Sequence, residues 1–344
     1  MSKIKHILVI RLSAMGDVAM VAPLLRAFVS QYPHVKITVV SRPFFKPFFA
    51  AIPNVVFFDV DLHGRHKGPK GLLRLFLDLR RLKADAVADL HNAIRSKVIR
   101  KLFGLIGKKV VYMDKGRKEK EALTRTENKI FQPLLSTFER HALAFKKLGF
   151  PIDLSHPVFP AKLELSEISL NVTGPKQGKW IGIAPFAQYD TKMYPLDLMQ
   201  QVIDELAKDA TVKIFLFGGG QDEVDHLETM KKEHPNVIVI AGKLKLQQEM
   251  EVISNLDIMV SMDSGNGHIA AMLGVKVITI WGATHPYAGF TPFNQPLENS
   301  LIPDREKYPL LPTSVYGNKI IEGYEDVMRT ITPESIIRKI KSFI

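Results

Sequence analysis

The sequence predicts an α/β protein made of two doubly wound parallel-sheet domains that face one another across a cleft. Three observations carry this. Short apolar runs, such as Lys5–Leu12 (KHILVIRL) and Trp180–Ala184 (WIGIA), read as strands buried on both faces. Each run leads through a polar or glycine-bearing loop into a helical segment and then another strand. That is a βαβ unit, which implies parallel pairing and a right-handed crossover. The alternation occupies both halves of the chain, interrupted by the proline-rich stretch 151–160 and the polar stretch 166–179, where the linker is expected.

In the first half, the strand Lys5–Leu12 is followed by the loop Ser13-Ala14-Met15-Gly16-Asp17 and an apolar helical segment, Val18–Val29. Pro23 fits the first turn of that helix, where its missing N–H costs least. The next strand is Lys36–Val40. Asp17 lies just past the carboxyl end of the first strand, where open α/β sheets place their ligands. A helix cap and a general base are equally good readings of it. Further strands are expected at Val55–Val60, Ala86–Leu90 and Lys109–Met113, with a helix over Gly71–Leu82. The basic stretches 63–70 (HGRHKGPK) and 114–129 read as a mobile loop and a solvated charged run. His91, Asn92 and Arg95 end a strand on the ligand side of the sheet, and with Arg11 they are candidate contacts for a second substrate.

In the second half, the loop Pro185–Thr191 and Lys192 follow the strand Trp180–Ala184, and Pro195 opens a helix over Leu196–Lys208. The strand Val212–Phe217 stops at Gly218-Gly219-Gly220, where a ligand can approach the backbone closely. Glu223 stands near the following helix start, either to accept from a ribose hydroxyl or to complement the helix dipole. The most informative stretch is Leu256–His285. Its strand Ile258–Val260 gives way to Asp263-Ser264-Gly265-Asn266-Gly267 and a small-residue helix beginning at His268. A polar glycine loop feeding a helix N-terminus presents free amides at the positive end of the dipole, a ready phosphate site. Thr332 and Pro333 mark the start of the closing helix.

With 46% apolar and 24% charged residues the chain has the composition of a globular protein, and the absence of cysteine excludes disulfides and thiolate metal sites. No run is long enough for a signal peptide or a spanning helix. The net charge of +12 divides into +17 over residues 1–160 and −5 over 161–344, so an anionic partner is expected for the first half. Nucleic acid is disfavoured, because the basic stretches 63–70 and 114–129 hold no aromatic residue for stacking.

Three segments together resemble the lipopolysaccharide core heptosyltransferases, glycosyltransferase family 9. They are IRLSAMGDVAMVAPLLRAF at 10–28, APFAQYDTKMYPLDLMQQVI at 184–203 and SMDSGNGHIAAMLGVKVITIWGATHP at 261–286. The resemblance implies a GT-B fold: an acceptor-binding domain over 1–165, a nucleotide-sugar domain over 175–328, and a closing helix over 329–344 with the option of packing back on the first domain. It also implies an inverting glycosyl transfer, typically from an ADP-heptose. Asp17 matches the family's general base and Lys192 the lysine on the donor phosphates. Asp263, Ser264, Gly265 and His268 match the donor loop. Glu223, beside Gly219, is close to the family's ribose-holding acid, with Asp222 the alternative register. No D-x-D pair stands at a strand end, so no obligatory metal or cofactor is expected. The expected partners are the nucleotide sugar and an anionic glycolipid, and the expected location is cytoplasmic and peripheral to the inner membrane. A nucleotide-sugar epimerase or a UDP-sugar-dependent transferase of the same architecture is the alternative.

Overall fold

The computed structural model describes residues 4–344. The chain forms two compact α/β units. The first comprises the chain up to Lys115 together with Thr137–Phe159, and the second Gly116–Ser136 with Pro160–Ile344. In chain order the first half runs β1 (His6–Ile10), α1 (Met15–Ala19), α2 (Val21–Gln31), β2 (Lys36–Ser41), β3 (Val55–Asp59), α3 (Gly68–Arg80), β4 (Ala86–Asp89), α4 (Ile94–Leu105), β5 (Lys109–Tyr112), α5 (Arg117–Thr124) and α6 (Thr137–Leu148). The second half runs α7 (Glu167–Thr173), β6 (Lys179–Ala184), α8 (Leu196–Ala207), β7 (Val212–Leu216), α9 (Gln221–Lys231), β8 (Val237–Val239), α10 (Leu246–Ser254), β9 (Ile258–Met262), α11 (Gly265–Met272), β10 (Lys276–Ile280), β11 (Ser300–Leu301) and α12 (Pro333–Lys341).

Both sheets are parallel. The first has the order β3-β2-β1-β4-β5 and the second β11-β10-β9-β6-β7-β8. Central strands covered by helices on both faces must be apolar throughout. Ile7, Leu8, Val9 and Ile10 of β1 and Ile258, Met259 and Val260 of β9 are accordingly buried. Helix α2 carries Pro23 as its third residue, where the ring removes no intrahelical bond. Thr332 caps α12 by accepting from the Ser335 amide at 3.2 Å.

Four stretches depart from the sequence expectation. The basic segment 63–70 is an ordered turn rather than a mobile loop. Asp61 accepts the amides of His63, Gly64 and Arg65, His66 is buried, and α3 already begins at Gly68. The polar stretch expected as linker contains α7, whose capping Ser166 and nearby Ser169 both donate hydroxyls to Glu251 at 2.6 Å.

The charged run 114–129 forms α5, and the segment 116–136 is part of the second unit instead of the first. Its anchor is Lys129, whose ammonium donates to the carbonyls of Leu123, Leu310 and Pro312 at 3.2, 2.7 and 2.7 Å. Phe131 adds a second anchor, with the Arg305 guanidinium 3.4 Å from its ring centre and the rings of His285 and Tyr287 at 5.1 and 4.8 Å. The closing helix α12 belongs to the second unit and packs there on α8. Ile336 and Ile340, one turn apart, are fully buried in that unit's core, an apolar stripe that no sequence pattern assigns to one domain over the other.

Glu249, on the first turn of α10, is a carboxyl with a raised pKa. Burial pushes it up to about 7. A carboxyl raised above its unfolded value binds its proton more tightly when folded, so stability falls as the pH rises from about 5 through 7. Glu249→Gln is expected to leave Tm nearly unchanged at pH 5 and to raise stability at pH 8 by on the order of 1–3 kcal/mol. Scanning calorimetry of both proteins at the two pH values checks this; equal shifts at both would remove Glu249 as the titrating group.

Candidate active site

Each sheet has one place where the strand order reverses, between β1 and β4 in the first unit and between β6 and β9 in the second. Helices leave on opposite faces at such a point, so the loops beyond the carboxyl ends part and leave room for a ligand. Asp17, His91 and Asn92 lie at the first of these places and Lys192, Asp263, Ser264 and His268 at the second, while Gly219 and Glu223 follow β7.

In the first unit the gap is bridged by Arg11. Its guanidinium, 5% exposed, donates to the Leu90 carbonyl beyond β4 at 2.6 Å and forms an ion pair with Asp17 on α1. Arg11 is thus a buried partner of Asp17. Asp17 is about one-third exposed and also receives the Ala14 amide at 3.4 Å, so the cap and the candidate base are one residue. Fully buried Asp89 accepts the amides of His91 and Asn92 at 3.0 and 2.8 Å and pairs with Arg100 at 3.1 Å. Asn92, at φ 44°, is held to the Met113 carbonyl and to Arg100, so it shapes the turn. Arg95 is exposed on the first turn of α4.

Two imidazoles stand near the Asp17–Arg11 pair. His91 is pushed down to about 4, first by burial, then by the Arg11 and Lys115 cations, against the pull of Asp17 and a hydrogen bond to the Ser13 backbone. His141 on α6 is fully buried and falls to about 3, again by burial and then Arg11. Both are therefore neutral at neutral pH, and Arg11 supplies the positive charge at Asp17. His141 carries no local sequence signal, because it comes near Asp17 from a helix some 120 residues further along the chain.

In the second unit β6 and β9 run side by side, so the turn after β6 meets the loop after β9. Lys192 and Asp263 form an ion pair there at 2.9 Å, with side chains 12% and 8% exposed. Ser264 is the capping residue of α11 and Gly265 its first residue; His268 is buried one turn in. The first amides of α11 have no intrahelical acceptor and stand at the positive end of its dipole. Ser261 Oγ accepts the Gly267 amide at 3.1 Å, and a Cβ at residue 267 would sit 3.1 Å from that oxygen and 3.5 Å from Val277. Gly267 therefore serves close packing of α11 on β9 and β10.

Glu223 folds back from α9, one carboxylate oxygen accepting the Gly219 amide at 2.7 Å, while Asp222 is exposed. Of the two registers, only Glu223 is tied to the glycine turn. A further element that the sequence conceals is the segment around Gly317. Thr191 donates to the Gly317 carbonyl, and a Cβ at Gly317 would overlap the Lys192 stem. Ala283, just past β10, donates to Thr191 O at 2.9 Å. The Lys192 turn is thus fixed by two segments remote in sequence.

A buried lysine at a glycine loop and helix N-terminus suits a diphosphate. Comparison with known proteins supplies the family. The profile of glycosyltransferase family 9 (heptosyltransferase) matches residues 72–316. Lipopolysaccharide heptosyltransferase 2 of Escherichia coli is 26% identical, over 98% of each chain. The crystal structure of a glycosyl transferase family 9 protein from Veillonella parvula superposes with a TM-score of 0.73 at 19% identity, over 98% of this chain and 97% of that one. E. coli heptosyltransferase WaaC with ADP superposes with a TM-score of 0.66 at 19% identity, over 98% and 100%. These structures share the GT-B fold with this chain. With that architecture, and with a family match extending over more than two-thirds of its residues, the chain belongs to glycosyltransferase family 9, the heptosyltransferases.

Proposed function

We propose that this protein is an inverting heptosyltransferase that moves a heptose from an ADP-linked donor to an inner-core sugar of a lipopolysaccharide acceptor. The observation that carries this reading is the buried Lys192–Asp263 pair at the N-terminus of α11. The family and the relatives' names supply the sugar and the acceptor, and the ADP-bound neighbour supplies the nucleotide.

The acceptor hydroxyl attacks the anomeric carbon of the donor, and the bond from that carbon to the diphosphate oxygen breaks. Asp17 takes the hydroxyl proton. ADP leaves with the bonding electrons, and Lys192 and the first amides of α11 meet the charge that gathers on it. The anomeric carbon passes through an oxocarbenium-like state and emerges inverted. Asp263 orients Lys192 before the donor arrives, and Glu223 accepts from the ribose. His91, Asn92 and Arg95 contact the acceptor. Because Lys192 and the amides neutralise the leaving group, the reaction needs no obligatory metal. The first unit's positive charge suits a phosphorylated or acidic glycolipid held in the cytoplasmic leaflet of the inner membrane, which the protein meets from its surface. No helix among the described residues is long and apolar enough to cross a membrane.

Asp17→Asn is expected to lower kcat by about 10²–10⁴-fold while ADP affinity survives. Single-turnover transfer from ADP-heptose, with calorimetry of ADP, checks both halves; turnover within a few-fold of normal would move the base elsewhere. Lys192→Ala is expected to weaken ADP binding by about ten- to a hundred-fold, the worth of one charge-assisted contact. Unchanged ADP affinity in a variant of intact Tm would take Lys192 out of the donor site. Transfer is expected to continue in excess EDTA, and a loss restored by added Mg²⁺ would refute the metal-free reading.

A further inference from the structure

Helices α3 and α4 form one layer on one face of the first sheet. They pack side by side, with Phe76 and Phe103 meeting edge to face at 5.1 Å. Their inner stripes are Leu75, Phe76 and Leu79 on α3 and Ile99 and Phe103 on α4, and these close over Leu8 and Val87 of the sheet. Such helices ordinarily turn a polar stripe outward. Here the outward stripes are apolar as well. Leu73 and Leu77 are 52% and 43% exposed, one turn apart on α3. Ile94, Val98 and Leu105 follow one another up α4, the first and last 81% and 83% exposed.

The charges around these side chains are of one sign. Residues 62–112 hold thirteen Lys+Arg and three Asp. None of the three carboxylates is available to balance the surface. Asp89 is fully buried, Asp78 is enclosed by Arg65, His66 and Arg81, and Asp85 accepts the amides of Lys5 and His6. Lys70, Arg74 and Arg80 on α3 and Lys101 on α4 are exposed among the leucines. The layer begins at Ile94, directly after His91 and Asn92, so it adjoins the residues assigned to the acceptor.

We infer that the outer face of α3 and α4 is the surface by which the first unit docks on an anionic lipid bilayer. Exposed leucine and isoleucine reach into the headgroup–acyl boundary while the cations around them meet lipid phosphates. Charge complementarity selects this occupant. A second copy of the chain would bring cations against cations, and a nucleic acid would find no exposed aromatic ring on these two helices to stack on. The inference deepens the membrane element of the proposed function, but its test needs no sugar donor.

The experiment is co-sedimentation of the full chain with vesicles of phosphatidylcholine and phosphatidylglycerol, and with phosphatidylcholine alone, at low and high salt. The expected result is binding to the anionic vesicles that weakens with salt. Removing two cations, Arg74→Gln with Lys101→Gln, is expected to weaken it by about twenty-five-fold, about fivefold for each charge. Leu73→Ser with Leu105→Ser is expected to lower it at both salt concentrations. Both double variants are expected to keep the wild-type Tm and wild-type transfer to a water-soluble acceptor fragment. Equal binding of both variants and the wild type overturns the inference, as does equal binding to neutral and anionic vesicles. A dimer dispersed by the leucine changes, or duplex DNA competing the vesicles away, assigns the face to those partners instead. A protein that transfers another sugar still passes, whereas one that transfers heptose yet ignores anionic vesicles fails this inference alone.

Discussion

Parallel pairing of two central strands in each sheet is the constraint from which the chemistry follows. Because β6 and β9 run the same way and hydrogen-bond to each other, their carboxyl ends must finish together. The Lys192 turn and the Asp263 loop are thereby brought to ion-pair distance although some 70 residues separate them. The pairing of β1 with β4 does the same for Arg11 and the Leu90 carbonyl. In both units the functional groups stand on short segments braced by a sheet, so their positions are set by the most stable part of the fold.

The electrostatics of the two places differ in kind. Around Asp17 stand the Arg11 guanidinium, paired with it, and two histidines that burial keeps neutral. The local charge therefore holds steady across the neutral range, and the carboxylate's orientation is fixed by a guanidinium that is itself tied to a backbone carbonyl. Around Lys192 the arrangement is a buried pair, whose members have both lost water. Such a pair contributes little net stability, but losing one member leaves a charge unpaired in a poor dielectric. The pair thus holds the Lys192 ammonium in a fixed position beside the first turn of α11.

The segment 116–136 shows how sequence order and structural membership part company. It lies between β5 and α6 of the first unit, yet its lysine and aromatic anchors are carbonyls and rings of the second. Two backbone oxygens on the Lys129 ammonium, those of Leu310 and Pro312, with Arg305 over Phe131, hold it to the segment that follows β10. The basic character of the first half is accordingly not a uniform coat. Part of it is committed to this strap, and part lies among exposed leucines on α3 and α4.

What the sequence determined by itself rests on short-range pattern. Apolar runs of strand length, glycine and proline punctuation and the spacing of three motifs sufficed for two parallel-sheet domains, for Asp17, Lys192 and Asp263 at strand ends, and for the caps at Thr332 and Pro333. Only the tertiary structure decided which long-range partners those residues take: Arg11 as the counterion of Asp17, His141 beside it, Gly317 under the Lys192 stem, Gly267 packed against Ser261, and α12 on α8. The reason is physical. Local conformation is fixed by each residue's own torsions and its neighbours within a turn or two, whereas a buried ion pair or a glycine contact exists only after two distant segments have closed together. Their identities leave no periodic trace in either segment alone.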